Sequence, residues 1–216
     1  MIRRIFDKPL GAWFEALKWG DDKPTVRVKQ LQERDRFRMR KHFLSLDKDD
    51  RLLRFGTVLP DEQVIAYVDK INFERDTIYG VYNHVFKLVA VGHLAFAPAS
   101  KDTAKEKSAE FGVSVLASAR GQGIGSKLFQ RAAIHCRNAD VDTLYMQCLS
   151  SNQTMMHIAK KAGMQIHREY GEADAYLTLP PPSPGTVMQE ALEEQFATID
   201  YTFKATNRAA AKLFER

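Results

Sequence analysis

The segment Arg120-Gly121-Gln122-Gly123-Ile124-Gly125 constrains the fold of this chain more than any other. It follows an alternating run, Glu110 to Leu116, and opens an apolar-periodic stretch, Ile124 to Cys136. Strand, tight turn and helix therefore succeed one another with no room for a spacer. Glycines at alternate positions let a backbone approach an anion closely and turn several N–H groups toward it. The N-terminus of the following helix adds partial positive charge. A phosphate-bearing ligand is the expectation.

Two common phosphate loops do not fit. A Walker loop needs Gly-Lys-Ser/Thr, whereas this chain reads Gly125-Ser126-Lys127-Leu128, with the hydroxyl ahead of the lysine. A dinucleotide fingerprint needs glycine where Ser126 stands, and an acid at the C-terminal end of the next strand. Asp140 and Asp142 precede the strand Thr143 to Leu149 and so lie at its other end.

The remaining pattern is Q/R-x-x-G-x-G/A, matched by Arg120, Gly123 and Gly125. A second motif follows, Asn152-Gln153-Thr154-Met155 through Lys160-Lys161-Ala162-Gly163-Met164. Together they resemble the GNAT N-acetyltransferase superfamily over roughly residues 85 to 179. Leu46 to Phe55 resembles an element near the start of bacterial protein-lysine acetyltransferase domains. The resemblance implies an α/β (α+β) fold with a mixed, mostly antiparallel sheet of six to seven strands flanked by helices. It implies acetyl-CoA as co-substrate and a primary amine, of a protein lysine or a small molecule, as acceptor. Pantetheine would lie between two splayed strands, pairing with the backbone at Val113 and Val115. Amides of Arg120, Gly121, Gln122, Gly123, Ile124, Gly125 and Ser126 would hold the pyrophosphate, with Asn152 beside the pantetheine arm. Glu110, at the start of its strand, is the catalytic base by the same resemblance, with His93 as alternative. The tyrosine that many members use as general acid is replaced by Ala159. That departure keeps open a second reading, a catalytically weak CoA-binding regulatory or interaction module with the long C-terminal helix as its partner surface.

Composition narrows the setting. With 216 residues, 44% of them apolar and 27% charged, the chain suits one globular domain plus an appendage. No apolar run approaches the roughly 18 residues that span a bilayer. Asp7, Lys8, Pro9 and Glu15 interrupt any signal-peptide core, so a cytoplasmic protein is expected. Cys136 and Cys148 have no metal-ligand spacing to histidine and read as reduced, buried thiols, with no metal expected. The net charge of +5 concentrates in residues 1–54, which hold 15 Lys/Arg against 9 Asp/Glu. Its focus is Arg34, Arg36, Arg38, Arg40 and Lys41, read as a solvated face. An acidic partner is the alternative, and without RNA-binding aromatics a nucleic acid is disfavoured.

Further elements follow from periodicity. A strand is expected over Pro24 to Leu31, and a basic helix over Gln32 to Leu46 with Phe37, Phe43 and Leu44 inward. A helix is expected over Asp61 to Phe73. Thr77 to Tyr82 and Val85 to Phe96 read as a hairpin turning at Asn83-His84. A polar connection covers Pro98 to Lys107, and strands Gln165 to Glu169 and Ala173 to Leu179 close the sheet. Residues 1–179 form the acetyltransferase-like domain, 180–185 a proline-rich linker, and 186–216 an amphipathic helix with Thr186 and Gln189 as its capping box. Its stripe of Met188, Leu192, Phe196, Ile199, Phe203, Ala210 and Leu213 would pack on its own domain or on a second subunit, making a homodimer.

Overall fold

A sheet whose central strands are buried on both faces organises the core. The computed structural model describes residues 26–97 and 107–214, with side chains up to residue 211. The expectations for Pro24, the connection 98–106, Leu213 and the last two residues lie outside these. Seven strands form one sheet: β1 Lys29–Gln30, β2 Thr77–Tyr82, β3 Leu88–Phe96, β4 Ser108–Val115, β5 Thr143–Leu149, β6 Gln165–Glu169 and β7 Glu172–Thr178. Their order is β1-β2-β3-β4-β5-β7-β6. Every neighbouring pair is antiparallel except β4 with β5. The expected mixed, mostly antiparallel sheet is the one observed.

Helices α1 Arg36–Leu44, α2 Lys48–Phe55 and α3 Asp61–Lys70 cover one face of β2 to β4. Helix α4, Ile124–Asn138, covers the other, and α5 Gln153–Lys161 follows β5. Leu128 and Phe129 of α4 meet Phe111 and the bare face of Gly92. On the first face, buried Met39 and Phe43 of α1 and Val64 and Val68 of α3 join the same core.

Several boundaries differ from the sequence expectation, and the helix expected over Asp61 to Phe73 ends at Lys70. The basic helix is a 3₁₀ turn, Glu33–Asp35, followed by α1, and Phe37 is 61% exposed rather than inward. Helix steps of 100° from the buried Met39 reach His42 and Phe43 on the inner face and leave Phe37 on the other side, under the Lys41 ammonium. The first strand shortens to Lys29–Gln30. The hairpin turn lengthens to Asn83–Lys87 because the Asn83 side chain accepts hydrogen bonds from the amides of Val85 (3.2 Å) and Lys87 (2.8 Å). Phe86, at φ 60°, thereby leaves the strand to stack on Tyr82.

The three arginines of α1 are paired within the chain. Arg36 binds Glu33 at 2.6 Å, Arg40 binds Asp69 at 2.6 Å, and Arg38 lies 3.3 Å from buried Asp35. Such pairing meets their charge without an external anion.

The C-terminal helix α6, Pro184–Phe214, runs 31 residues, about 46 Å. It begins earlier than expected, with proline in its first turn. Ser183 and Thr186, rather than Thr186 and Gln189, form its reciprocal cap: the Thr186 amide donates to Ser183 Oγ at 3.3 Å, and the Ser183 amide to Thr186 Oγ1 at 3.2 Å. The face it turns inward is also unexpected. Arg131 of α4 is 2% exposed and gathers Glu190 (2.9 Å), Glu194 (3.5 Å) and Glu193 (3.8 Å) of α6. Lys29 pairs with Glu194, and Ala197 is buried. The apolar stripe points outward, with Met188, Ile199 and Phe203 each 66% exposed. A buried guanidinium must be neutralised, and that requirement outweighs burial of the stripe on this domain. Burial would raise the pKa of Glu190, but hydrogen bonds from His135 and Asn138 and the charge of Arg131 hold it down at about 2.

His42 ties α1 to β4. Its Nε2 lies 2.8 Å from Ser114 Oγ and its Nδ1 3.3 Å from the Leu88 carbonyl. Burial pushes its pKa down to about 4. Folded His42 thus stays neutral while the unfolded chain protonates near pH 6.5, so stability is full above that pH and falls as pH drops toward 4. Chemical denaturation at pH 7.5 and pH 5 is expected to show a loss of roughly 2 kcal/mol attributable to this group. In His42→Phe the difference between the two pH values should shrink by about that amount.

Candidate active site

Strands β4 and β5 pair only at Ser108 with Thr143, Ala109 with Leu144 and Glu110 with Tyr145. Beyond Glu110 they diverge, and the backbone of β4 from Phe111 to Val115 continues its antiparallel pairing with β3 alone. An edge left unpaired inside a sheet offers N–H and C=O groups to an extended ligand. The opening forms a cleft of about 960 Å³ that runs on to the glycine loop.

All ten residues expected at the cofactor site border this cleft: Val113, Val115, Arg120, Gly121, Gln122, Gly123, Ile124, Gly125, Ser126 and Asn152. Gly121 (φ 77°) and Gly123 (φ 74°) are left-handed, a conformation costly for residues with a Cβ. Gly123 caps α4. The amides of Ile124, Gly125 and Ser126 open the helix and so have no partner within it. Gly125 serves differently, since a Cβ there would stand 3.2 Å from Ile158 of α5. Arg120 bonds to Asp50 of α2 and donates to the Val115 carbonyl at 3.3 Å. Lys127 and Lys161 add positive charge to the rim. A narrow slot with an unpaired strand edge, leading to a cationic loop of open amides, fits pantetheine followed by a pyrophosphate.

Asn152 also has a structural task. It caps α5, accepting from the Met155 amide at 3.1 Å, and reaches the Leu53 carbonyl at 3.4 Å. Ala159, in place of the usual tyrosine, is buried in α5.

Glu110 does not border the cofactor cleft. It stands at the closed end of the splay, exposed, accepting a 3.2 Å hydrogen bond from Tyr145. Burial raises the pKa of Tyr145, and the Glu110 charge adds to the effect. The parallel register that brings Tyr145 to Glu110 carries no sequence signal, and the periodicity of β5 places this tyrosine only on a face. His93, the alternative base, has both ring nitrogens engaged: Nδ1 lies 2.8 Å from the Tyr67 hydroxyl and Nε2 3.2 Å from Asp76. Burial and the nearby Arg54 charge lower its pKa, so it is neutral and committed to structure.

The two cysteines are free. Cys136 is buried and its thiol is pushed up to about 12, while Cys148 is only half-buried. Burial raises the Cys148 pKa as well, and neither thiol is a ready nucleophile. Among the described residues no group of three His, Cys, Asp or Glu could hold a metal ion, and no helix is long and apolar enough to cross a membrane.

Comparison with known proteins gives the site its context. Residues 13–164 match the model of the acetyltransferase (GNAT) family. No curated protein matches the chain significantly. Among solved structures the chain is similar to the GNAT domain of S. lividans PAT, with 19% identity and a TM-score of 0.60 over 72% of this chain and 92% of that one. It is also similar to spermidine N-acetyltransferase from Vibrio cholerae in complex with CoA and spermine (15% identity, TM-score 0.55, 71% and 95% covered). A third is YncA from Salmonella typhimurium, solved with its cofactor acetyl-CoA (11% identity, TM-score 0.53, 74% and 97% covered). At such identities these likenesses show the fold. The family model spans well over half of the sequence, and the chain belongs to the GNAT acetyltransferase family.

Proposed function

We propose that this protein transfers an acetyl group to a primary amine held on the face of the sheet that carries Glu110. Family membership sets acetyl-CoA as the donor. The observation that carries the reading is the splay of β4 from β5 after three residue pairs, ending on Glu110 and continuous with the glycine loop.

Each residue has a definite task in this reading. The β4 edge at Val113 and Val115 pairs with pantetheine, and amides of the loop and first turn of α4 hold the pyrophosphate. Bound in this way, acetyl-CoA supplies an activated acyl group at the closed end of the splay. Glu110 accepts the proton that the amine must lose to become nucleophilic. Tyr145 orients that carboxylate. Solvent can return the proton to the departing sulfur, since Ala159 offers none.

The acceptor approaches over the open face of β5 and β7. Ser108, Thr143, Tyr145, Gln165, Tyr176 and Thr178 line a shallow depression there, with the Tyr145 and Tyr176 rings stacked 6.2 Å apart. Aromatic faces beside a carboxylate suit a cationic amine. A protein lysine and a small polyamine both meet that description. The free thiols fit the reducing cytoplasm. The alternative, a catalytically weak CoA-binding regulatory or interaction module, draws on Ala159 and on the exposed apolar stripe of α6, and release of free CoA in the presence of amines separates the two readings.

Two substitutions test the assignments. Gly123→Asp places a side chain and a negative charge at the left-handed cap of α4. Calorimetry on the folded variant should show CoA affinity reduced by at least about tenfold, since a loop of this kind binds through close backbone approach and positive potential. Affinity within about twofold of wild type, one RT-scale difference or less, would put the pyrophosphate elsewhere. Glu110→Gln should lower turnover by about 10²-fold, the usual loss of a general base, with CoA affinity retained. Unchanged turnover would remove Glu110 from the chemistry.

A further inference from the structure

A polar chain crosses the acceptor side of the sheet and ends at the cleft. Arg54, in the last turn of α2, donates from Nη2 to the Tyr67 hydroxyl at 2.7 Å. That hydroxyl, already accepting, turns its proton to His93 Nδ1 at 2.8 Å, which leaves Nε2–H to donate to Asp76 at 3.2 Å. Asp76 is held in turn by Arg75 at 2.8 Å. Donors and acceptors run in one direction without a conflict, and the chain fixes one group that the acetyl-transfer reading has not used, the Arg54 guanidinium.

That guanidinium lies flat on β4. A Cβ built on Gly112 would stand 2.8 Å from Arg54 Cζ and Nη2, so only glycine admits the contact. Gly112 follows Glu110 by two residues and shares its face, at about 6.6 Å along the strand. It is the first position on that face beyond the paired segment, so Arg54 stands where the splay begins. The side chain lines the cofactor cleft. It stacks over Phe55 (5.2 Å) and Tyr67 (5.4 Å), forms no ion pair among the described residues, and keeps Nε buried without a hydrogen-bond partner. A cation lodged beside a glycine, lining a cleft and without a carboxylate partner among the described residues, is placed to meet negative charge from the cleft side.

We propose that Arg54 is a catalytic residue that stabilises the negative charge developing on the thioester oxygen, with Tyr67 and His93 as positioning residues. This rests on the acetyl-transfer reading above. As the amine nitrogen forms its bond to the carbonyl carbon, the π pair moves onto the oxygen faced by Arg54. When that pair re-forms the carbonyl, the C–S bond breaks and its electrons leave on sulfur. The proton lost by nitrogen to Glu110 is matched by the one that sulfur takes up. A fixed positive charge in a partly dehydrated cleft favours the charged oxygen over the neutral carbonyl.

Binding, independent of turnover, tests this. The probes are acetyl-CoA and S-carboxymethyl-CoA, whose carboxylate puts a full negative charge near the acyl position. Calorimetry should show wild type favouring the carboxylate probe by about tenfold or more, the effect of one charge-assisted contact. Arg54→Met should abolish the preference while acetyl-CoA affinity holds, and should lower kcat by about 10²-fold or more. Arg54→Lys should recover part of both. Gly112→Ala, which displaces the guanidinium while keeping Arg54, and Tyr67→Phe, which unties it, should each weaken the preference, so a folding defect in one variant leaves others to decide. A wild type that binds both probes equally, or an Arg54→Met that still prefers the carboxylate, overturns the role of Arg54 and leaves the cofactor site intact. A wild type that binds neither probe overturns both readings.

Discussion

The proposed site depends on a parallel pairing that stops early. Strands β4 and β5 have 8 and 7 residues yet share only three pairs, all at the start of both strands. Had the ladder continued, the edge at Val113 and Val115 would be consumed, and the glycine loop would open onto a closed sheet. The unsatisfied backbone costs free energy that a ligand strand can recover. Neighbouring packing keeps the edge in place: His42 binds Ser114 from one side, and Phe111 packs on Phe129 from the other. The site is therefore an interruption of regular structure supported on both faces.

A second constraint works from the opposite face. Arg131 is one of the largest fully buried side chains, and three glutamates of α6 surround it. Helix α6 thereby docks through charge and leaves Leu192, Phe196, Ile199 and Phe203 outward. Arg27 lies over the Phe196 ring at 5.3 Å and so begins to cover that stripe. The usual inference, that an apolar stripe marks the buried face of a helix, fails here because the cost of an unpaired buried arginine exceeds what the stripe would gain on this domain.

What the sequence made legible follows from how local each signal is. The glycine loop, β4 and α4 are adjacent in the chain, so spacing marks the anion-binding loop at Arg120 to Gly125, and family resemblance adds Val113 and Val115 on the strand before it. Glu110 was reached through family resemblance. Its neighbour Tyr145 was not, because strand register joins residues 35 apart with no local mark. Arg54 lies within the Leu46 to Phe55 resemblance, but its contacts with Tyr67 and Gly112 join residues far apart in the chain and carry no local mark. Phe37 falls outside because helix phase, set by Met39, His42 and Phe43, turns it away from the core, and the α6 stripe falls outside because buried Arg131 draws the glutamate face of that helix inward. Ser183 and Pro184 show a smaller case: the proline of the expected linker stands in the first turn of the helix, which moves the cap one turn earlier.

Amide hydrogen exchange, read residue by residue with and without acetyl-CoA, tests the central claim most directly. If pantetheine completes the missing ladder, exchange at Val113 and Val115 should slow by at least about tenfold on binding, together with the loop amides from Gly121 to Ser126. Strand β6, outside the cleft, should be unaffected. Binding that leaves Val113 and Val115 exchanging at their free rates would show that the ligand does not lie along β4, and the account of the site would fail.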